Sequence, residues 1–271
     1  MSQMLQEDAS VVLVRSFFVR KRNALLVRAH FSPLFMDYYL HLMQHGLHHE
    51  KEADAKFKDV LSSLTLHLCS RPQDEVVAWT INVRNPLMNL FATGGSRPGR
   101  VTGRIFTEDV RDSGKPLFIS TVNRGQEVGR QSMVNFEGMD ILEAVEHFYA
   151  QSEGRITRIF RLEDEEMVMI SAEPDCDEEW LIGLELEDLL TLAEKEHLTP
   201  LETRPYMFEC GCSVERLYPL LSRLSADDLD HIFSDGMATI TCPRCAAIFK
   251  APKEHFEEWQ VAHKKEQGED K

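Results

Sequence analysis

The chain has 271 residues, 43% of them hydrophobic and 28% charged, a balance that suits a globular protein with a sizeable core. Its 30 basic and 45 acidic side chains leave a formal charge of −15, which argues against nucleic acid or an anionic membrane as partner. No apolar run reaches the roughly 18 residues of a membrane-spanning helix, and the polar, acidic start at Met1–Ser10 is unlike a secretory signal. A cytoplasmic protein is the expectation.

In chain order, Val11 to Phe18 and Ala24 to Phe31 are β-rich runs flanking Lys21-Arg22-Asn23, which predicts a hairpin. Ser32-Pro33 opens a helix that Gly46 closes, and a second helix is expected from about Glu50 to Cys69. Period-two alternation at Val77, Trp79, Ile81 and Val83 begins a strand region that reaches Phe136. Turn signals divide it into further runs at 99–107, 116–122 and 128–136. A helix follows over about Asp140–Ser152, then strands at 155–162 and 167–172. Helices and strands that do not alternate strictly predict an α+β fold.

Beyond Pro174 the composition shifts to charged, leucine-bearing helix, which Thr199-Pro200 and Arg204-Pro205 stop. The expected organisation is an N-terminal core of β-sheet with covering helices over 1–176, a helical linker over 177–205 and a small C-terminal module over 206–271. In the module, helices are expected after Cys212, with a kink or delay at Pro219, and after Ser225 as cap. A ribbon should surround Cys242–Cys245, followed by a last helix over about Lys253–His263 and a polar tail.

The module carries Cys210-Gly211-Cys212 and Cys242-Pro243-Arg244-Cys245. Two close pairs supply four soft thiolates, the donor set of a closed tetrahedral zinc site. In a reducing compartment such clusters mean metal or redox chemistry sooner than permanent disulfides. The metal is either a structural staple for a module too small to fold alone, or a removable one that keeps the sulfurs in the form oxidants attack. Spacing alone favours the staple.

Other candidates read as structural. His41, His45, His48 and His49 offer metal-ligand chemistry on one face but fit an exposed polar surface. The stretch Gly94–Gly99 lacks the Lys-Ser/Thr of a phosphate loop and reads as a hairpin turn. The acidic run Glu173–Glu179 reads as a solvated face and Cys69 as core, while the acidic neighbours of Cys176 should raise its pKa. No nucleophile–base–acid set stands out, so no enzyme is expected.

The order Phe208-Glu209-Cys210-Gly211-Cys212-Ser213, then Glu215-Arg216 and Ile240-Thr241-Cys242-Pro243-Arg244-Cys245, resembles the heat-shock protein thirty-three family of redox-regulated chaperones. His147-Phe148-Tyr149-Ala150-Gln151-Ser152-Glu153 is similar to the aromatic-x-Gln-Ser-Glu segment that ends the core helix of that family. The resemblance runs from about Val11 to Trp259 and is specific at these two places. It implies an ATP-independent holdase for unfolding client proteins, with one Zn2+ on Cys210, Cys212, Cys242 and Cys245 in the reduced, inactive form. It implies disulfides Cys210–Cys212 and Cys242–Cys245 with zinc release in the active form, and a homodimer among the oxidised states. Unfolding of the linker would then uncover Leu189, Leu190, Leu198 and Leu201 for clients. The segment from Leu186 to Cys210 is shorter than the linker of the family. A constitutive zinc-stapled protein-binding module without a switch is the alternative.

Overall fold

The computed structural model describes residues 11–125, 129–138 and 140–268, with side chains to 263. The acidic start Met1–Ser10, position 128 of the run expected at 128–136, and residues 269–271 of the tail lie outside the described residues. Strands β1 (Val12–Val19) and β2 (Ala24–His30) form the expected antiparallel hairpin. Helix α1 spans Ser32–His45, with Pro33 in its first turn and left-handed Gly46 as C-cap, and α2 spans Lys51–Cys69. The N-cap is Phe31 and not Ser32, so no side chain caps this helix.

Strands β3 (Glu75–Arg84), β4 (Leu87–Ser96), β5 (Gly99–Phe106), β6 (Leu117–Arg124) and β7 (Arg130–Asn135) follow as an antiparallel group. Gly94 and Gly95 lie inside β4, and the hairpin turn is confined to Arg97-Pro98. The reason is packing: a Cβ on Gly94 would sit 2.9 Å from the Leu68 side chain of α2 and 2.6 Å from the Arg100 carbonyl oxygen. Glycine there lets the helix lie close on the sheet.

Helix α3 (Ile141–Phe148) is capped by Asp140, whose carboxylate accepts from the Leu142 and Glu143 N–H groups. It runs into a π-helical turn over Tyr149–Glu153, followed by β8 (Thr157–Arg161) and β9 (Glu166–Ala172). The segment expected to be helical is broken into α4 (Glu178–Ile182), α5 (Leu186–Leu190) and α6 (Leu192–Lys195).

Strand β10 (Leu198–Phe208) was not foreseen, because Pro200 and Pro205 read as stops. It pairs antiparallel with β1 and, at Met207 and Phe208, parallel with β5. Along the stretch holding both prolines it pairs on one side only, where a missing N–H is tolerated. β10 thereby joins two half-sheets into one of ten strands, in the order β7-β6-β3-β4-β5-β10-β1-β2-β9-β8. The 177–205 segment is thus helical only as far as Lys195.

The main core lies between this sheet and α1, α2 and α3. Strand β2 is buried on both sides, as its alternation requires. Val27 and Ala29 face the main core, whereas Ala24 and Leu26 join a second cluster with Leu181, Leu184, Leu189 and Leu192 of α4–α6. Arg22, in the β1–β2 turn, holds both ends of this connector. It pairs with Asp177 at 2.5 Å and Glu196 at 2.8 Å, and its guanidinium lies 5.3 Å from the Trp180 ring centre.

His67 of α2 is fully enclosed, its Nδ1 2.6 Å from the Tyr149 hydroxyl in the π-helical turn. Burial, assisted by Arg71, Arg155 and Arg130, pushes its pKa down to about 3. The unfolded chain therefore takes up a proton here that the fold refuses. The stabilisation is present above the ordinary histidine pKa of about 6.5 and is lost as pH falls below it, by about 1.4 kcal/mol per pH unit. Urea midpoints from pH 7.5 to 5 should drop more steeply for the natural chain than for His67→Gln; equal slopes would refute this.

Candidate metal centre

The C-terminal module contains α7 (Val214–Leu221), α8 (Ala226–Ile232), the ribbon β11 (Met237–Thr241) with β12 (Ile248–Pro252), and α9 (Lys253–Gly268). Pro219 sits inside α7, and Ser225 caps α8 by accepting from the Asp228 N–H, as expected. Leu217, Tyr218, Leu221, Phe233, Ala251 and Phe256 make a small core against which the cysteines pack.

Each cysteine pair is held by a short backbone device. Cys210-Gly211-Cys212 leaves the end of β10, and Gly211 adopts φ 64°, a left-handed turn that lets both sulfurs face inward. Arg216, in the first turn of α7, reaches back to donate to the Gly211 carbonyl oxygen. Cys242–Cys245 caps the β11–β12 ribbon. Its turn is closed by Cys242 N–H to Ala247 O at 2.8 Å and Ala246 N–H to Cys242 O at 3.0 Å.

All four sulfurs lie within 4.8 Å of one another, Cys210 and Cys242 at 3.8 Å and Cys212 and Cys245 at 3.5 Å. A tetrahedron with metal–sulfur bonds of about 2.3 Å has edges of roughly 3.8 Å, so the spacing fits a four-coordinate thiolate site. Cys242 and Cys245 are buried, while Cys210 and Cys212 are half-buried. The Cys242 thiol is held well below its usual pKa by hydrogen bonds from Cys210 and Cys245, and the Arg244 and Cys245 N–H groups assist. Burial pushes Cys212 up to about 12, and protons shared with Cys210 and Cys242 push Cys245 upward. An ion entering this set displaces those protons, so its affinity falls with falling pH.

The other candidates sort themselves. Cys69 is buried, its thiol pushed up to about 12 by burial. Burial raises Cys176 more than its acidic neighbours do. Asp177 and Glu173 of the acidic run are paired with Arg22 and Arg155. The four histidines do not converge: α1 ends at His45, so His48 and His49 lie beyond it. His41 and His45 are not on a free polar surface, since both touch the cysteine module. Of the linker leucines, Leu189 is buried and Leu198 half-buried in the second cluster, whereas Leu190 and Leu201 are 72% and 55% exposed. Arg104 and Arg100, which approach the cysteines from β5, were not singled out by sequence. Their arrival depends on the parallel β5–β10 pairing, for which no local signal exists.

A family model described as Hsp33 protein matches residues 161–251, a span that includes all four cysteines. The 33 kDa chaperonin of Nitrosococcus oceani is 25% identical over 137 residues, 42% of this chain and 47% of that protein. That of Vibrio parahaemolyticus is 25% identical over 162 residues, 50% of this chain and 56% of the relative. Over these stretches the chain is similar to the Hsp33 proteins. A third relative, from Picosynechococcus, is 39% identical over 56 residues, 20% of this chain and 19% of its own. These matches span about half the length of the first relative, and less of the third. The Hsp33 fold is matched more widely. The crystal structure of the 33 kDa chaperonin from Thermotoga maritima superposes with a TM-score of 0.72 over 91% of this chain and 97% of that one, at 15% identity. Among the described residues, no helix is long and apolar enough to cross a membrane.

Proposed function

We propose that this chain is a redox-regulated, ATP-independent holdase of the cytoplasm that binds unfolding proteins when oxidised. Cys210, Cys212, Cys242 and Cys245 hold one Zn2+ in the reduced, inactive form. The observation that carries the reading is the convergence of the four thiols at the edge of a module with a small core of its own. Such a module depends on its metal for folding.

Oxidation joins Cys210 to Cys212 and Cys242 to Cys245. As each S–S bond forms, its pair of sulfurs gives up two electrons to one peroxide, whose O–O bond breaks and which, with two protons, leaves as two waters. A disulfide sulfur no longer serves as a thiolate ligand, so the ion leaves and the module loses its staple. The connector α4–α6 is attached to that module through β10. Its release uncovers Leu189 and Leu198, which join exposed Leu190 and Leu201 in a surface that apolar client segments can bind. No catalytic step is assigned.

The test is light scattering of a heat-unfolding client with reduced and with peroxide-treated protein. Oxidised protein is expected to suppress aggregation at near-stoichiometric ratios while reduced protein does not. Equal suppression by both forms would favour the constitutive zinc-stapled binding module.

A further inference from the structure

Two carbonyl groups of the Cys242–Cys245 turn are held from outside the module. His41 Nε2, on α1, lies 2.8 Å from the Cys245 carbonyl oxygen. The His41 ring packs on Phe208 at 5.5 Å and on His45 at 4.8 Å, between centres. His45 Nδ1 in turn accepts from the Ile248 N–H at 3.2 Å, just beyond the turn. Arg104, on β5, donates from Nη1 to the Cys242 carbonyl oxygen at 3.3 Å, with its guanidinium 4.2 Å from the Phe106 ring centre.

Arg104 is an unusual cation. It is half-buried, its Nε has no hydrogen-bond partner, and the charges that act on it are those of Cys242 and Cys245 and of no carboxylate among the described residues. A cation withdrawn from water needs a compensating charge. Four thiolates around a divalent ion carry a net charge of −2, and Arg104 stands against the backbone of one of them, Cys242. The fold therefore supplies the Arg104 counter-charge from the metal site itself.

We infer that His41 and Arg104, borne by the core and not by the cysteine module, are outer-shell residues of the metal site, so that the core sets how tightly the module holds its ion. His41 fixes the carbonyl that shapes one end of the turn. Arg104 fixes the other and offsets the negative charge of the site. The inference rests on the metal reading of the four cysteines and is independent of the redox switch.

The experiment is competition for zinc between a chromophoric chelator and the reduced, full-length chain without oxidant. Loss of an outer-shell partner typically weakens metal binding by about 10–100-fold, and His41→Ala and Arg104→Met are each expected to fall in that range. His41→Gln, which keeps a donor at similar reach, should recover most of the loss. Affinities of the folded variants within about twofold of the natural chain would overturn the assignment, since outer-shell losses are larger than that. Should His41→Ala fail to fold, Arg104→Met and the ring resonances of His41 and His45 in the natural chain decide. Those resonances should move when zinc is withdrawn, and unmoved rings would contradict the inference. With no oxidant present, failure here leaves the holdase switch standing, and failure of the switch leaves these affinities unchanged.

Discussion

Withdrawing zinc from the reduced protein is expected to unfold residues 210–252 while the ten-stranded sheet stays folded. The module core is a single cluster built on a few helical turns and a two-stranded ribbon, and such a ribbon is marginal by itself. Structural zinc contributes on the order of 10–16 kcal/mol to small modules of this kind, more than their apolar burial supplies. The main core has no comparable dependence, since it closes between the sheet and α1–α3 without Cys210, Cys212, Cys242 or Cys245. Hydrogen exchange reads the difference directly. Amides of Met237–Thr241 and Ile248–Pro252 should lose protection on chelation, whereas those of β3 and β4 keep theirs. Unchanged protection in the ribbon would show that the module folds without a metal.

Trp79→Ala should destabilise the core by about 3–5 kcal/mol, the usual cost of deleting a buried large aromatic. Trp79 has no exposed surface, and its ring lies 5.0 Å from His67, 5.1 Å from Phe118 and 6.0 Å from Phe148. It therefore links α2, β6 and α3 across the sheet. Its indole nitrogen has no hydrogen-bond partner among the described residues. An unpaired buried donor costs about 1–3 kcal/mol, so Trp79→Phe should lose much less than Trp79→Ala by removing that donor while keeping a ring. Urea unfolding followed by circular dichroism separates the two. A loss below about 1 kcal/mol for Trp79→Ala would mean that the site collapses around the vacancy.

Local pattern carried a large part of this architecture. The β1–β2 hairpin, α1, α2 and α3 were legible because alternation, helical spacing and the Pro and Gly stops act within a few neighbours. The clustering of the four cysteines was legible for the same reason, since each pair is one tight turn and the donor set is defined by residue type. What escaped depends on distant partners. Pro200 and Pro205 read as stops, but the half-unpaired β10 tolerates them. Gly94 read as part of a turn because the Leu68 side chain that demands a glycine arrives from a helix far back in the chain. His41 and His45 read as solvent-facing because their partners, Cys245 and Ile248, follow them by about 200 residues.

The proposed switch requires a removable metal, and one time course tests that most directly: zinc released per chain, measured in the same sample as suppression of client aggregation, as peroxide is added. The prediction is one zinc per chain before oxidation, none after four thiols are consumed, and suppression rising in step with release. Zinc retained at full stoichiometry after the thiols of Cys210, Cys212, Cys242 and Cys245 have met the oxidant, or zinc lost with no gain in suppression, would contradict it.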